Sequence, residues 1–356
     1  MNTSEIVHEL NPSEANPRNS EGAFATLRDG SILFVYSRYY GGSGDDCAAV
    51  LGSCISTDRG RTWKVIERPV VENEGGMNVM SVSFLRLPSG ELLLFYLVKN
   101  SKNDCRLHAR SSVDEGQTWS APWLCIPMPG YHVTNNDRVI QLRSGRILIP
   151  TSLHMQEGGA WMPGRVYVFI SDDDARTWRG TGPILPPFDN PSGLQEPGIV
   201  ELTNGRLWLH SRTGTGRHWQ SFSDDQGESW LPAEPSVFQA PCSPLCIKRI
   251  PTTGDLLAVW NDHSGRFPFP DPKDQGFAGK SWGRTPLVTA ISPDDGKTWV
   301  HHRRLESDFD HGYCYTAIHF VDDAVLFGYC AGGPEHGHVL CRLRIRRVSL
   351  GWLYDG

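Results

Sequence analysis

Apolar and polar residues alternate in short runs along this chain, and the runs recur in a fixed pattern. An apolar residue, a short polar turn with Gly and an apolar strand appear as Leu27-Arg28-Asp29-Gly30-Ser31-Ile32-Leu33, then as Leu87 to Leu93, Leu142 to Leu148, Leu202 to Trp208 and Ile250 to Leu256. Phe320 to Leu326 is a weaker sixth copy without the Gly. Asp-Gly and Asn-Gly between apolar runs are strong hairpin signals. Downstream of each of the first five hairpins stands a second repeat, Ser-x-Asp-x-Gly-x-Thr-Trp. Its copies are Ser56 to Trp63, Ser112 to Trp119, Ser171 to Trp178, Ser223 to Trp230 and Ser292 to Trp299. In it the Asp carboxylate can accept backbone N–H groups of a tight turn. Gly takes a positive φ at little steric cost, and Thr and Trp open the next strand. The third copy has Ala175 in place of Gly, which predicts a distorted or loosened turn, and the fourth has Ser229 in place of Thr.

Successive copies lie about 50 to 70 residues apart, a period typical of four-stranded propeller blades. Six hairpins and five Asp turns predict an all-β fold, a six-bladed β-propeller of antiparallel blades whose last blade lacks its Asp turn. Val339 to Val348 alternates and suits a late strand of that blade. Ile6 to Leu10 can pair with it and close the ring, removing exposed sheet edges. No linker interrupts the pattern, so residues 1–356 read as a single domain, with Arg266 to Gly283 as an inserted loop rich in Pro, Gly and Phe.

Composition agrees with many short strands and turns, with 37 Gly, 25 Pro and 12 Trp among 356 residues. The net charge of −6 comes without blocks of like charge, so nucleic-acid or membrane-surface binding is not expected. Met1 to Pro12 lacks the basic start and apolar run of a secretion signal, and a cytoplasmic location is expected. The nine Cys include no C-x-x-C pair and read as reduced structural thiols. His132, His154 and His263 have no ligand spacing and read as ordinary packing or solvent-facing residues.

A propeller gathers ligands at one end of its channel, where the starts of the inner strands converge. Polar residues there without a turn role include Arg18, Glu21, Arg38, Asp45, Asp46, Asn78, Asn135, Asn136, Asp137, Arg138, Glu196, Arg212, Arg284, Tyr313 and Tyr315. The whole chain resembles the sialidase (neuraminidase) superfamily, whose Asp-box repeats match the turns above. More specific is Glu196-Pro197-Gly198-Ile199-Val200-Glu201-Leu202 followed by Ser211-Arg212. It is similar to the family segment in which a glutamate polarises a tyrosine and an arginine joins a carboxylate-gripping triad. The resemblance implies Arg18 and Arg284 as the other two arginines and Tyr315 as the nucleophile. It leaves Asp45 or Asp46 as the acid/base group. Arg38, Asn78, Asn136 and Arg138 are further candidates for substrate contact. Two departures stand out. Arg18 is followed by Asn19-Ser20-Glu21-Gly22 where the family usually has Ile-Pro, and Glu21 offers an arginine an ion-pair partner. Asn135 to Arg138 lies outside the family pattern and suggests an extra clamp for a sugar other than the common sialic acids.

Three guanidiniums from different blades can hold one carboxylate through charge-assisted hydrogen bonds. A tyrosine meets less repulsion than a carboxylate when it attacks the anomeric carbon of an acidic sugar, and sialidases are the known exception to two-carboxylate glycosidases. No metal or cofactor is required. The expected activity is exo-acting, retaining hydrolysis of a terminal α-linked acidic sugar. The alternatives are a polysaccharide lyase acting at a uronic acid and a non-catalytic carbohydrate-binding propeller.

Overall fold

The computed structural model describes residues 3–155, 159–268 and 279–355. The chain is all-β: among the described residues the only helices are a short 3-10 turn, Pro334–His336, and the five-residue helix Leu350–Tyr354. Four sheets have four strands each. A fifth has nine, and its two halves meet through one parallel pairing of Tyr131 with Cys105. Three of the four-stranded sheets consist of consecutive strands, each antiparallel to the next. The first, for example, places Arg18–Thr26 beside Ile32–Tyr39, then Ala49–Ser56, then Lys64–Val71.

The two sequence repeats occupy fixed places in this plan. The polar-Gly turns join first strands to second strands, as where Gly30 N donates to Leu27 O at 3.0 Å and Thr26 pairs with Ile32. The weak sixth copy forms a hairpin too, with Val321 opposite Ala324. The Asp turns follow the third strands. In the first of them Asp58 accepts from Thr62 N at 2.9 Å, Ser56 Oγ accepts from Gly60 N at 2.8 Å, and Trp63 Nε1 returns to Gly60 O at 3.2 Å.

The expected distortion at Ala175 does not occur. Its N–H still reaches Ser171 Oγ at 3.0 Å, and Thr177 N still reaches Asp173 at 2.8 Å. Ala175 takes φ 67° and buries its methyl group fully. The hydrogen-bond set and the buried methyl offset the roughly 1–2 kcal/mol cost of a left-handed alanine. All nine cysteines are free thiols, as expected. The expected loop Arg266–Gly283 includes residues 269–278, which lie outside the described residues.

The apolar core lies between sheets. Val35 and Leu51 pack with Val82 and Phe95's neighbour Leu94, and Leu97 and Phe95 pack with Ile149 and Phe169. The series runs on to Val259 and Ile291 against Val325 and Phe327. A further cluster joins the first unit to the last, with Phe34 and Tyr36 against Leu326 and Ile345. The N-terminal strand Ser4–Leu10 pairs antiparallel with Leu343–Ser349, the partner expected from the sequence. Chain start and chain end therefore complete one sheet.

Candidate active site

One irregularity recurs in four strands that begin sheets or their halves. Arg18–Thr26, Asn78–Arg86, Gln195–Glu201 and Cys314–Val321 each slip register against their neighbours near their start. At the slip a non-glycine residue takes a left-handed conformation: Glu21 (φ 55°), Ser81 (57°), Glu196 (43°) and Tyr315 (59°). Such residues cost of order 1–3 kcal/mol each and cluster at functional sites. A bulge re-aims a side chain, and all four of these side chains line one cavity of 410 Å³.

Arg18, Arg212 and Arg284 line the same cavity, although the sequence separates them by up to 266 positions. Arg212 Nη1 donates to Glu196 Oε2 at 2.7 Å, and the Tyr315 hydroxyl donates to Glu196 Oε1 at 3.0 Å. Arg212 Nη1 lies 3.4 Å from the phenol oxygen, and the Arg284 guanidinium stands 5.4 Å from the centre of the Tyr315 ring. Burial would raise the Glu196 carboxyl, but Arg212, with Arg284 and the phenol, holds it below its ordinary value. Burial and the Glu196 charge push the Tyr315 phenol well up, against the pull of Arg212 and Arg284. At rest the pair is thus a carboxylate accepting a hydrogen bond from an un-ionised phenol, the ground state of a base-assisted nucleophile.

Arg18 is 1% exposed and stacks on Tyr39, with 4.4 Å from guanidinium carbon to ring centre. Its Nη1 donates to Asp45 Oδ1 at 2.5 Å, and its Nη2 lies 3.4 Å from Glu21 Oε1. Glu21 does therefore pair with an arginine. It also accepts from the Ser81 hydroxyl at 2.5 Å, yet burial outweighs these partners and raises its carboxyl to about 7.

The adjacent aspartates separate. Asp45 lines the cavity with its side chain 64% exposed, and against partial desolvation Arg18 holds its carboxyl below the ordinary value. Asp46 points away and pairs with Lys99 Nζ at 2.5 Å. The loop that carries both is pinned by its backbone. Asn78 Nδ2 donates to Asp45 O at 2.8 Å and to Cys47 O at 2.9 Å, and Lys99 Nζ donates to Asp45 O at 3.1 Å.

Four residues expected at the substrate lie elsewhere. Asn78 supports the loop rather than facing the cavity. Arg38 donates to Glu67 O at 3.2 Å and lines a separate groove. Asn136 is buried and donates to Gly22 O at 2.7 Å and Tyr315 O at 3.0 Å, so it fixes the backbone of the nucleophile candidate. Arg138 donates to Leu245 O at 2.6 Å and borders a different cavity with Asp137 and Lys248. In each case a main-chain carbonyl takes at least one hydrogen bond from the side chain. Tyr313 is buried in the apolar core and absent from the cavity wall.

The sequence reading does not pick out Ser81, Tyr131, Trp161, Trp282 or His338 on the cavity wall. It assigns His154 to packing or to solvent. Instead the ring lines the cavity, stacked on Trp161 at 4.5 Å, and burial lowers its pKa to about 4. One signal was available. Glu21, Ser81 and Glu196 each stand six residues before the apolar residue that opens a hairpin, Leu27, Leu87 and Leu202.

The BNR repeat-like domain family matches residues 74–327. Sialidase-4 of Mus musculus is 28% identical over 205 residues, covering 49% of this chain and 40% of that protein. A sialidase of Micromonospora viridifaciens is 25% identical over 331 residues, covering 82% of this chain and 46% of that protein. The chain spans about half the length of these curated relatives. Among solved structures, an intramolecular trans-sialidase from Ruminococcus gnavus superposes with a TM-score of 0.73 at 13% identity, covering 98% of both chains. A protein of unknown function from Dyadobacter fermentans gives 0.73 at 17% identity, covering 97% of this chain and 99% of that one. Likeness at such identity shows a shared fold. Together with the Asp-box repeats, the family match shows that this chain belongs to the BNR repeat-like domain family, within the sialidase superfamily.

Proposed function

We propose that this chain is a single six-bladed ring that hydrolyses a terminal α-linked sialic acid or related acidic sugar with retention, using Tyr315 as nucleophile. The observation that carries the reading is the 3.0 Å contact from the Tyr315 hydroxyl to Glu196, flanked by Arg212 and Arg284. Glu196 takes the phenol proton as the oxygen attacks the anomeric carbon, which covers the activation that an un-ionised phenol requires. The cationic flank offsets charge on the developing aryl-oxygen bond and binds the sugar carboxylate, the part of the substrate that distinguishes it from neutral glycosides.

Asp45 is the acid/base group in this scheme. It is exposed on the cavity rim, whereas Asp46 is held by Lys99. Asp45 protonates the leaving oxygen and then draws a proton from water. As substrate enters, its carboxylate replaces Asp45 on Arg18, which frees the aspartate for this role. The ring reading rests on the sheets packed in sequence and on the first and last units joined by Phe34 and Leu326.

The test is a product screen with aryl α-glycosides of acidic sugars beside an ultraviolet assay on uronic-acid oligosaccharides. The proposal expects aryl release without new ultraviolet absorbance. Tyr315→Phe should lose turnover by about 10³-fold or more while substrate affinity stays within a few-fold. An unsaturated product would mark a lyase instead. Sugar binding with no product in either assay would mark a binding module.

A further inference from the structure

Outside the cavity, two loops bring His311, Glu335 and His336 together, with ligand-type atoms all within 4.8 Å of one another. The Glu335 Oε1 oxygen lies 2.6 Å from His311 Nε2 and 3.1 Å from His336 Nδ1. Both imidazoles are largely buried, with side chains 14% and 13% exposed.

The protonation pattern is the informative part. A backbone N–H can only donate, and Gly333 N donates to His336 Nδ1 at 3.3 Å. His336 Nδ1 is therefore unprotonated, and it stands 3.1 Å from Glu335 Oε1 with its lone pair engaged only by that long contact from Gly333. On the other ring, Asp308 Oδ2 lies 2.9 Å from His311 Nδ1. His311 Nε2, 2.6 Å from Glu335 Oε1, donates its proton in a hydrogen bond to that carboxylate. A metal ion would displace the proton shared by His311 and Glu335 and draw both imidazoles and the carboxylate onto itself.

Local backbone supports the arrangement. A Cβ on Gly333 would lie 2.7 Å from His311 Cδ2 and 2.9 Å from Glu335 Oε2, so only glycine admits the His311 ring here. Pro334 opens the 3-10 turn that presents Glu335 and His336 side by side. The two loops are already joined by Gly312 N donating to Gly332 O at 3.0 Å.

We propose that His311, Glu335 and His336 form a binding site for one divalent transition-metal ion of the zinc type, with Asp308 orienting His311 from behind. Two imidazoles and one carboxylate, with a fourth position left to water, suit zinc, which prefers nitrogen, sulfur and carboxylate ligands in tetrahedral sites. Calcium and magnesium prefer all-oxygen sites. A carboxylate on the far imidazole nitrogen is the usual support of a metal-bound histidine. The ion takes over the His336 lone pair from its long contact with Gly333. It clasps the 332–341 segment, whose His338 and Leu340 line the cavity, to the 308–313 segment that leads into Tyr315. His338 in turn touches Ser43 O, 3.3 Å away, in the loop that bears Asp45. The metal thus acts as a structural clip on the cavity wall and takes no part in the proposed reaction.

The test uses full-length, tag-free protein stripped with chelator and titrated with zinc chloride by calorimetry, with cobalt(II) absorption as a second readout. The expected result is one saturable equivalent, a cobalt spectrum of tetrahedral type and a higher Tm with zinc than without. The double variant His311→Ala/His336→Ala should lose the equivalent, and Asp308→Asn should weaken it by about 10- to 100-fold. Should the double variant fold poorly by circular dichroism, Glu335→Gln serves in its place. Absence of saturable binding, or a folded ligand variant that binds zinc as the wild type does, would overturn the proposal. None of these readouts depends on activity, so they stand apart from the fate of the glycosidase reading.

Discussion

Glu196 and Glu21 occupy the same bulge position in two strands, yet their surroundings treat them oppositely. Arg212 at 2.7 Å keeps Glu196 ionised. Glu21 has only a 3.4 Å contact to an arginine already engaged by Asp45, and burial raises it to about 7. The sign follows from proton counting. Between the unfolded carboxyl value near 4.5 and the folded value near 7, the native state binds more protons than the unfolded state. Unfolding free energy therefore falls as pH rises through that window, by at most about 3 kcal/mol for a shift of this size. Glu21→Gln should abolish this part of the slope when urea unfolding is compared at pH 5 and pH 8. Parallel profiles for variant and wild type would show that Glu21 is not perturbed. At Glu196, replacement by Gln removes the base and should cut turnover by about 10²- to 10⁴-fold in a steady-state assay. At this scale the sequence was legible where a residue had no turn role and matched a family pattern, as for Arg212, Glu196 and Tyr315. It was not legible where a neighbouring carbonyl captured the donor. Nothing in the order of residues announces that Leu245 O will satisfy Arg138 or that Lys99 will draw Asp46 away.

The elements show the same division between local and distant causes. Hairpins and Asp turns depend on residues a few positions apart, so their places could be read directly. Even Ala175 keeps its turn, because the Asp173 and Ser171 contacts are local and complete. The bulges that aim Glu21, Ser81, Glu196 and Tyr315 depend on pairing with a neighbouring strand, and composition does not reveal them. Gly22, just after the first bulge, shows how tightly that strand is seated: an added Cβ would meet the Phe34 ring at 2.2 Å. Gly22→Ala should destabilise the fold by about 1–3 kcal/mol, the usual cost of overpacking. Because the bulge is adjacent, it should also reduce substrate affinity. Chemical denaturation and a KM measurement check the two effects, and an unchanged midpoint would contradict the packing argument.

Across the whole molecule, the repeats marked an all-β chain and the places of its hairpins and Asp turns. What the period could not supply was which strand-start residues would meet, since that depends on how the sheets pack against one another. The N-terminal strand carries a separate consequence. Ser4–Leu10 covers the edge of Leu343–Ser349 and joins the two ends of the chain. Removing residues 1–10 should expose that edge, lower Tm and promote concentration-dependent aggregation, as read by scanning calorimetry and light scattering. A truncated chain as stable and monodisperse as the full one would argue against closure by this strand. The account converges on one bond, the covalent link expected between Tyr315 and a sugar during turnover. Incubation with a fluorinated acidic glycosyl fluoride that slows the second step, followed by peptide mass spectrometry, measures it directly. The account predicts one adduct per chain, on Tyr315 and lost in Tyr315→Phe. Steady hydrolysis of the matching aryl glycoside with the adduct on another residue, or with none formed, would contradict it.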